Sequence, residues 1–71
     1  MKREVVESSN LRSIGYDAEK EVLEVEFAKG GVYVYSGVPE EIYKAIMNAE
    51  SKGSAFFRYI KSRGYKYERV E

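Results

Sequence analysis

The stretch Gly30–Pro39, GGVYVYSGVP, decides the fold because it joins a first half of the chain that favours strands to a second half that favours helices. Its two leading glycines predict a tight turn, and its alternating valines and tyrosines predict a short strand. Ser36 and Gly37 then break the strand. Pro39 suits the first turn of a helix, where its missing N–H group leaves no hydrogen bond unmade.

The clearest strand precedes this stretch, over Val22 to Ala28. Leu23, Val25 and Phe27 face one way, and the glutamates between them face the other. Such alternation is typical of a strand with one buried face. The strand therefore supplies one apolar layer of the core.

Further strands are predicted nearer the N-terminus. Leu11 to Tyr16 predicts a strand whose imperfect alternation indicates a bulge at Ser13 or Gly15. Residues 17–20 then predict a polar hairpin loop. Val5 and Val6 are expected to enter a still earlier strand.

The loop after the clearest strand decides which side chains of the next strand face the core. A two-residue loop would turn the valines toward the core, whereas a three-residue loop over Lys29–Gly31 would turn Tyr33 and Tyr35 there. We favour the longer loop, with a glycine at positive φ in a bulge. That choice places Tyr35 opposite Val25, and it predicts that Tyr35 is more structural than functional.

Two helices are predicted in the rest of the chain. Pro39 lies in the first turn of the first helix and is followed by Glu40 and Glu41, where the helix dipole favours negative charge; Ser51 is expected to cap the second helix. Gly64 is a natural end for the second helix. The buried stripe of the first helix is Ile42, Ala45, Ile46 and Ala49, and Phe56, Tyr59, Ile60 and Arg63 lie at helical spacing in the second.

The fold class that follows is α+β: an antiparallel meander of three or more strands, then two helices packed on one face of the sheet. The 71 residues form one domain. Segments 1–7 and 65–71 are expected to be its less ordered ends, and the second of them is read as an extended tail or a short edge strand.

Composition argues against catalysis. The chain has no cysteine and no histidine, so it cannot form a disulfide, a thiolate metal site or the usual pair of nucleophile and base. Its adjacent carboxylates, Glu24/Glu26 and Glu40/Glu41, are read as a solvated strand face and a helix start. We therefore expect no enzyme activity, no cofactor and no metal.

The same composition bears on the protein's surroundings. Apolar runs are too short for a membrane span or a secretory signal, so we expect a cytoplasmic protein with no membrane role. Glutamine is absent while lysine, arginine and glutamate are abundant, which favours a thermostable protein.

Charge is uneven along the chain although it balances overall. Residues 1–50 carry a net charge of −4, and residues 51–71 carry +4. The asymmetry indicates either two solvated faces that attract each other or a basic face for a polyanion. Composition alone leaves these alternatives open.

Two short motifs each allow a functional and a structural reading. Tyr33 and Tyr35 would stack on bases if exposed, but in so small a domain we expect both to fill the core. The segment Ser51–Ser54 offers a lysine, a glycine and two hydroxyls at a helix start, which could cradle a phosphate. An ordinary corner between helices is the favoured reading.

The C-terminal part of the chain interleaves cations and aromatic rings, as single-stranded nucleic acid requires. A solvated helix face with a packed tail explains the pattern equally well. If nucleic acid is bound, the candidate residues are Lys52, Arg58, Tyr59, Lys61, Arg63, Tyr65, Lys66 and Tyr67, with Arg69 beyond them.

Together these residues resemble the KTSC domain, named for the C-terminal extension of certain lysyl-tRNA synthetases. The resemblance spans roughly residues 8–64. It rests on Ser8-Ser9-Asn10-Leu11, Ile14-Gly15-Tyr16-Asp17, the Leu23/Val25/Phe27/Gly30 series, Tyr33-x-Tyr35, Val38-Pro39, Ser51-Lys52-Gly53, and Phe56 with Ile60.

The resemblance implies a small stand-alone or appended module without known catalysis, for which RNA binding has been suggested. No aminoacylation activity carries over, because the synthetase itself is absent. In that family asparagine often follows the phenylalanine that matches Phe56, whereas Phe57 stands here. If that amide contacts a ligand in relatives, this protein will bind that ligand differently or not at all.

We therefore expect a non-catalytic module that binds single-stranded RNA or tRNA. The alternative is a protein–protein interaction or tethering domain. We expect a monomer rather than an oligomer. Salt separates the two functions, because phosphate contacts weaken steeply with salt and an apolar interface does not.

Overall fold

The computed structural model describes residues 3–71, which form a five-stranded antiparallel sheet in the order β1-β2-β3-β4-β5. Two helices and a 3-10 turn connect β4 to β5. The strands are β1 Arg3–Val5, β2 Leu11–Asp17, β3 Val22–Phe27, β4 Val32–Ser36 and β5 Tyr67–Arg69; the helices are α1 Glu40–Met47 and α2 Lys52–Tyr59, and the 3-10 turn is Lys61–Arg63.

This architecture confirms the predicted fold class. Strand order follows chain order, and each strand pairs antiparallel with the next. The segments expected to be less ordered, 1–7 and 65–71, contain the edge strands β1 and β5; their mobility stays a prediction. No helix among residues 3–71 has the length and apolar character needed to cross a bilayer.

The β2–β3 hairpin forms where the sequence predicts it. The Asp17 carboxylate accepts hydrogen bonds from the backbone N–H groups of Glu19 and Lys20, at 3.0 and 3.2 Å. Such a contact is the usual way in which aspartate fixes a turn. The β2–β3 register shifts between Leu11 and Ser13, so the bulge falls at the first of the two expected positions.

The β3–β4 hairpin has a three-residue loop, but one residue earlier than predicted. Phe27 N–H donates to the Gly31 carbonyl and Gly30 N–H donates to the Phe27 carbonyl, which leaves residues 28–30 as the loop. Gly30 has φ 110°, a conformation that side chains other than hydrogen resist. This geometry is a turn followed by a glycine bulge.

The earlier loop corrects the predicted register by two residues. Val25 pairs with Tyr33 rather than with Tyr35, and Tyr35 pairs with Leu23. Because side chains alternate with a period of two, a two-residue shift leaves the same side chains facing the core. The predicted facing of both tyrosines is therefore confirmed although their partners differ.

The core lies between the helices and one face of the sheet, here called the inner face. From the sheet it receives Ile14, Leu23, Val25 and Tyr35, all nearly inaccessible to solvent. The helical side contributes its own fully buried residues, Ile46, Phe56 and Ile60. Burial of these side chains is the main force that holds the helices on the sheet.

Helix α1 begins one residue later than predicted and is less buried than its stripe indicates. Pro39 is the N-cap rather than a residue of the first turn, and Glu40 is the first helical residue. Of the predicted stripe only Ile46 is fully buried, while Ile42 and Ala45 remain partly accessible. Helix α1 therefore lies toward the edge of the core.

Helix α2 is capped as predicted, and its first turn packs closely against the loop that precedes β2. Ser51 Oγ accepts a hydrogen bond from Ser54 N–H at 3.3 Å. A Cβ atom at Gly53 would lie 2.9 Å from Ser8 Oγ and 3.6 Å from Asn10 Nδ2. The absence of a side chain at position 53 thus lets the two segments touch.

Replacing Gly53 by alanine should destabilise the domain, although alanine normally gains about 0.5–1 kcal/mol over glycine inside a helix. The added Cβ displaces Ser8 Oγ, which accepts from the N–H groups of Asn10 and Leu11. We expect a loss of about 1–3 kcal/mol in the free energy of unfolding, as for other overpacked sites, measured by urea denaturation.

The matched control is Ser54→Ala at the exposed neighbour of the buried Gly53, which should change stability little. In a Ser8→Ala background the cost of Gly53→Ala should shrink or reverse, because the clashing atom is gone. A Gly53→Ala variant as stable as the unmodified chain would contradict this account of the contact.

Candidate functional site

A cleft of about 410 Å³ opens between α2 and the inner face of the sheet. Its walls come from the start of β2, the β3–β4 hairpin, the end of α2 and strand β5. We call it the aromatic cleft, and it is lined by Asn10, Phe27, Lys29, Gly30, Tyr33, Tyr35, Phe57, Lys61 and Tyr67.

The floor of the aromatic cleft is a set of rings packed edge to face. Phe27 meets Tyr33 at a centroid distance of 5.3 Å and Phe56 at 5.6 Å, with planes at 84° and 73°. Tyr35 meets Phe56 at 5.5 Å and 76°. These arrangements place the positive edge of one ring against the negative face of another, which stabilises the pair beyond simple burial. The rings of the floor are therefore closely packed against one another.

Two rings at the rim are exposed instead of packed away. Phe57 is 46% exposed and Tyr67 is 66% exposed, whereas every other aromatic side chain of the protein is less exposed than these. Both belong to the aromatic cleft. A small domain gains stability by burying its rings, so this exposed pair marks a surface available to a ligand.

Cations surround the rim. Lys61 Nζ lies 5.8 Å from the ring centroids of both Phe27 and Phe57, and Lys29 lies in the hairpin turn. Beside them, the Arg69 guanidinium lies 6.0 Å from the Tyr33 centroid. Exposed contacts of this kind contribute only about 0.5–1 kcal/mol each, so the cations remain available to other partners. Within residues 3–71, no acidic side chain lines the aromatic cleft.

The acidic side chains of the central strands lie on the opposite, outer face of the sheet. Glu24 forms an ion pair with Arg3, and Arg3 Nε donates to Ser13 Oγ at 3.0 Å. Ser13 Oγ in turn donates to Glu26 Oε1 at 2.9 Å. This network holds both glutamates on the far side of the sheet, away from the cations of the aromatic cleft.

The structure divides the eight predicted nucleic-acid residues among several surfaces. Lys61 and Tyr67 line the aromatic cleft, and Tyr65 joins them around an adjoining cavity of about 200 Å³. Arg58 and Tyr59 line a separate groove of about 450 Å³ between α1 and α2. The remaining three, Lys52 at the start of α2 and the exposed Arg63 and Lys66, line none of these cavities.

The residues of the family motif are mainly structural. Tyr35 is 3% exposed and Phe56 is fully buried, while Tyr33 is partly accessible at the wall of the aromatic cleft. Gly53 makes the close approach described above. Ser51 uses its hydroxyl to cap α2. The Ser51–Ser54 segment is therefore a capped corner between helices, with Lys52 beside it.

Sequence reasoning did not assign five residues of the aromatic cleft to a site, namely Asn10, Phe27, Lys29, Gly30 and Phe57. Phe27 was assigned only to the core, and Lys29 only to the turn. Asn10 was noted only as part of the family motif Ser8-Ser9-Asn10-Leu11, to which no role was assigned. The signal that could have found them is the glycine pair after Lys29, because the tight turn brings the turn lysine beside the rings of both strands.

Burial raises the pKa of Tyr35 to about 12, with smaller contributions from the neighbouring Tyr67 and Tyr33. A buried phenolate would lose its hydration without gaining a positive partner. Burial likewise raises the pKa of Tyr16 and Tyr43. Tyr35 therefore stays neutral at physiological pH as part of the cleft floor.

Comparison with known proteins gives consistent matches over nearly the whole chain. The sequence profile of the KTSC domain matches residues 7–70. The crystal structure of a KTSC domain protein from Yersinia pestis superimposes with a TM-score of 0.93 at 38% identity, covering 99% of this chain and 97% of that one.

Relatives occur both alone and as part of a larger protein. An uncharacterized protein of Stutzerimonas stutzeri is 45% identical over 71 residues, which is the full length of both chains. A lysine–tRNA ligase of Nostoc punctiforme is 34% identical over 64 residues, which cover 90% of this chain and 11% of the ligase. The chain thus corresponds to a small segment of that enzyme.

The raised pKa of Tyr35 predicts a loss of stability at alkaline pH. The unfolded chain ionises this phenol near pH 10 and the folded chain near pH 12. Its stabilising contribution is therefore fully present below pH 10 and lost as pH rises to about 12. The loss should reach about 2–3 kcal/mol, at roughly 1.4 kcal/mol per pKa unit.

A Tyr35→Phe variant has no phenol to ionise, so its stability should fall less steeply between pH 10 and 12 in urea titrations. Tyr59→Phe, at a more accessible tyrosine, is the control for the loss of one phenol. Equal slopes for Tyr35→Phe and the unmodified chain would show that this phenol is not the group that titrates.

Proposed function

This chain belongs to the KTSC domain family, and on that premise we propose that it is a non-catalytic module that binds single-stranded RNA through the aromatic cleft. One observation carries the proposal. The two most exposed rings of the protein, Phe57 and Tyr67, line the same cleft as two lysines and no acidic residue. Stacking surfaces beside cations are what single-stranded nucleic acids bind.

Charge distribution supports RNA rather than a neutral ligand. Lys29, Lys61 and Arg69 surround the rings; neither lysine forms an ion pair within residues 3–71, and the Arg69 Nε donates to the main-chain oxygen of Glu71 at 2.9 Å. Glu24 and Glu26 are held on the opposite face of the sheet. A polyanion approaching the inner face therefore meets cations close to the stacking surfaces.

The relatives support the choice of RNA. In the Nostoc punctiforme protein a segment similar to this chain is part of a lysine–tRNA ligase, an enzyme that by its name acts on tRNA. A module that binds single-stranded RNA would be useful in such a protein. For this chain we propose single-stranded RNA, or an unpaired part of tRNA, as the ligand.

A non-catalytic role agrees with the chemistry of the lining. The chain has no histidine or cysteine, and the lining offers only amide, ammonium and phenol groups besides its apolar rings. Because burial raises the pKa of Tyr35, this phenol is a poor base and a poor nucleophile at neutral pH. Binding is the activity that such a lining supports best.

The test is a titration of a fluorescently labelled single-stranded RNA of mixed sequence, followed by anisotropy at low and moderate salt. With three cations replacing counterions, the slope of log affinity against log salt should be about −2, from roughly −0.7 per phosphate. Lys29→Ala should weaken binding at low salt and make the slope shallower by less than one unit.

The chain offers a matched control in Lys20, an exposed lysine in the β2–β3 turn at the other end of β3. Lys20→Ala changes the net charge equally but should leave the affinity almost unchanged. Absence of binding at low salt by a folded domain would overturn the proposal and favour a protein–protein interaction or tethering role.

A further inference from the structure

We propose that the aromatic cleft holds one unpaired nucleobase at a time, stacked against Phe57 and Tyr67, while Lys29 and Lys61 contact the phosphates on its two sides. The inference rests on the proposed function and adds the size and chemistry of the bound unit. It predicts recognition of a single nucleotide within the RNA rather than uniform contact along the strand.

The dimensions of the cavities favour one base. The aromatic cleft, at about 410 Å³, falls in the lower part of the range of roughly 300–1,000 Å³ typical of small-ligand sites. The groove between α1 and α2 has a similar volume but only one ring, the partly buried Tyr59. The aromatic cleft is therefore the single place among residues 3–71 where two exposed rings can meet one ligand.

Ring geometry leaves the rim available for stacking. Phe57 contacts one other ring, Phe56, at a centroid distance of 5.9 Å. Tyr67 is tilted against Tyr33 and Tyr35, at 48° and 34°, so neither pair is closely stacked. The floor rings satisfy one another edge to face, whereas the rim rings retain accessible surface. A flat base is the ligand that such surfaces fit.

Lys61 has a second role in this arrangement. Its ammonium is equidistant from the Phe27 and Phe57 centroids, at 5.8 Å from each, so it lies across the space between the two rings. A base that stacks on Phe57 displaces the ammonium from that ring toward the adjoining phosphate. Exposed cation–π contacts are weak enough to be exchanged in this way.

Asn10 supplies a polar group at the edge of the aromatic cleft. Its side-chain amide makes no hydrogen bond to any of residues 3–71, while its backbone carbonyl accepts from Ala28 N–H at 2.9 Å. The backbone is thus fixed and the amide is free. An amide offers both donors and an acceptor, so it can contact the edge of a base stacked at the rim.

The experiment compares three small probes by amide chemical shifts in ¹H–¹⁵N spectra. Adenosine 3′,5′-bisphosphate carries one base and two phosphates, adenosine carries the base alone, and ribose 5-phosphate carries sugar and phosphate alone. We expect the bisphosphate to bind most tightly and to shift the amides of Gly30, Phe57 and Lys61. Shifts confined to the groove lined by Arg58 and Tyr59 would overturn the proposal.

Three leucine variants then test the stacking. Phe57→Leu keeps an apolar side chain but removes the ring, and we expect affinity for the bisphosphate to fall about 5- to 100-fold. Tyr67→Leu removes the second rim ring and should also weaken binding. Tyr59→Leu, on the same helix as Phe57 but outside the aromatic cleft, should leave the affinity unchanged. Thermal melts check that all three variants fold.

The outcomes separate this inference from the proposed function. If the labelled RNA binds with the expected salt dependence but Phe57→Leu and Tyr67→Leu bind it as tightly as the unmodified chain, RNA binding stands and the one-base cleft is wrong. If no RNA binds at low salt, both proposals fail. Loss of bisphosphate binding in the rim variants, with Tyr59→Leu unaffected, supports both.

Discussion

The contact on which the rest of the structure depends is that of Phe56 with the sheet. This fully buried ring meets Phe27 of β3 and Tyr35 of β4 edge to face, so one side chain attaches α2 to two strands. Because Phe57 follows it directly, the same attachment determines where the exposed ring lies. Core packing and the geometry of the aromatic cleft therefore have a common origin.

The sheet also separates charges of opposite sign. Alternation within β3 sends Leu23 and Val25 into the core and Glu24 and Glu26 to the outer face. The network through Arg3 and Ser13 keeps those carboxylates there. The first part of the chain is acidic and the last part is basic. Around the central strands, this asymmetry appears as a difference in charge between the two faces of the sheet. A chain of zero net charge can in this way present a basic site.

Periodicity predicted most of the fold, because alternation and helical spacing depend on neighbours close in sequence. The α+β class, the facing of Tyr33 and the Ser51 cap followed from such local patterns. The β3–β4 register could not be predicted in this way, because the local sequence does not distinguish a loop over residues 28–30 from one over residues 29–31. The aromatic cleft was predicted only through Lys61 and Tyr67. Its other walls come from segments far apart in the chain, and only the packing of α2 on the sheet brings them together.

The exposure of the two rim rings is notable because the domain is small. In a chain of 71 residues the surface that folding can bury is limited, and every further buried ring adds to stability. Phe57 and Tyr67 remain exposed at one shared site, with cations beside them. All the lining residues lie between positions 10 and 67, inside the segment that matches the KTSC domain. A site contained in this segment needs no contribution from a neighbouring domain. Segments similar to this chain accordingly occur both as a whole protein and as a small part of a larger one.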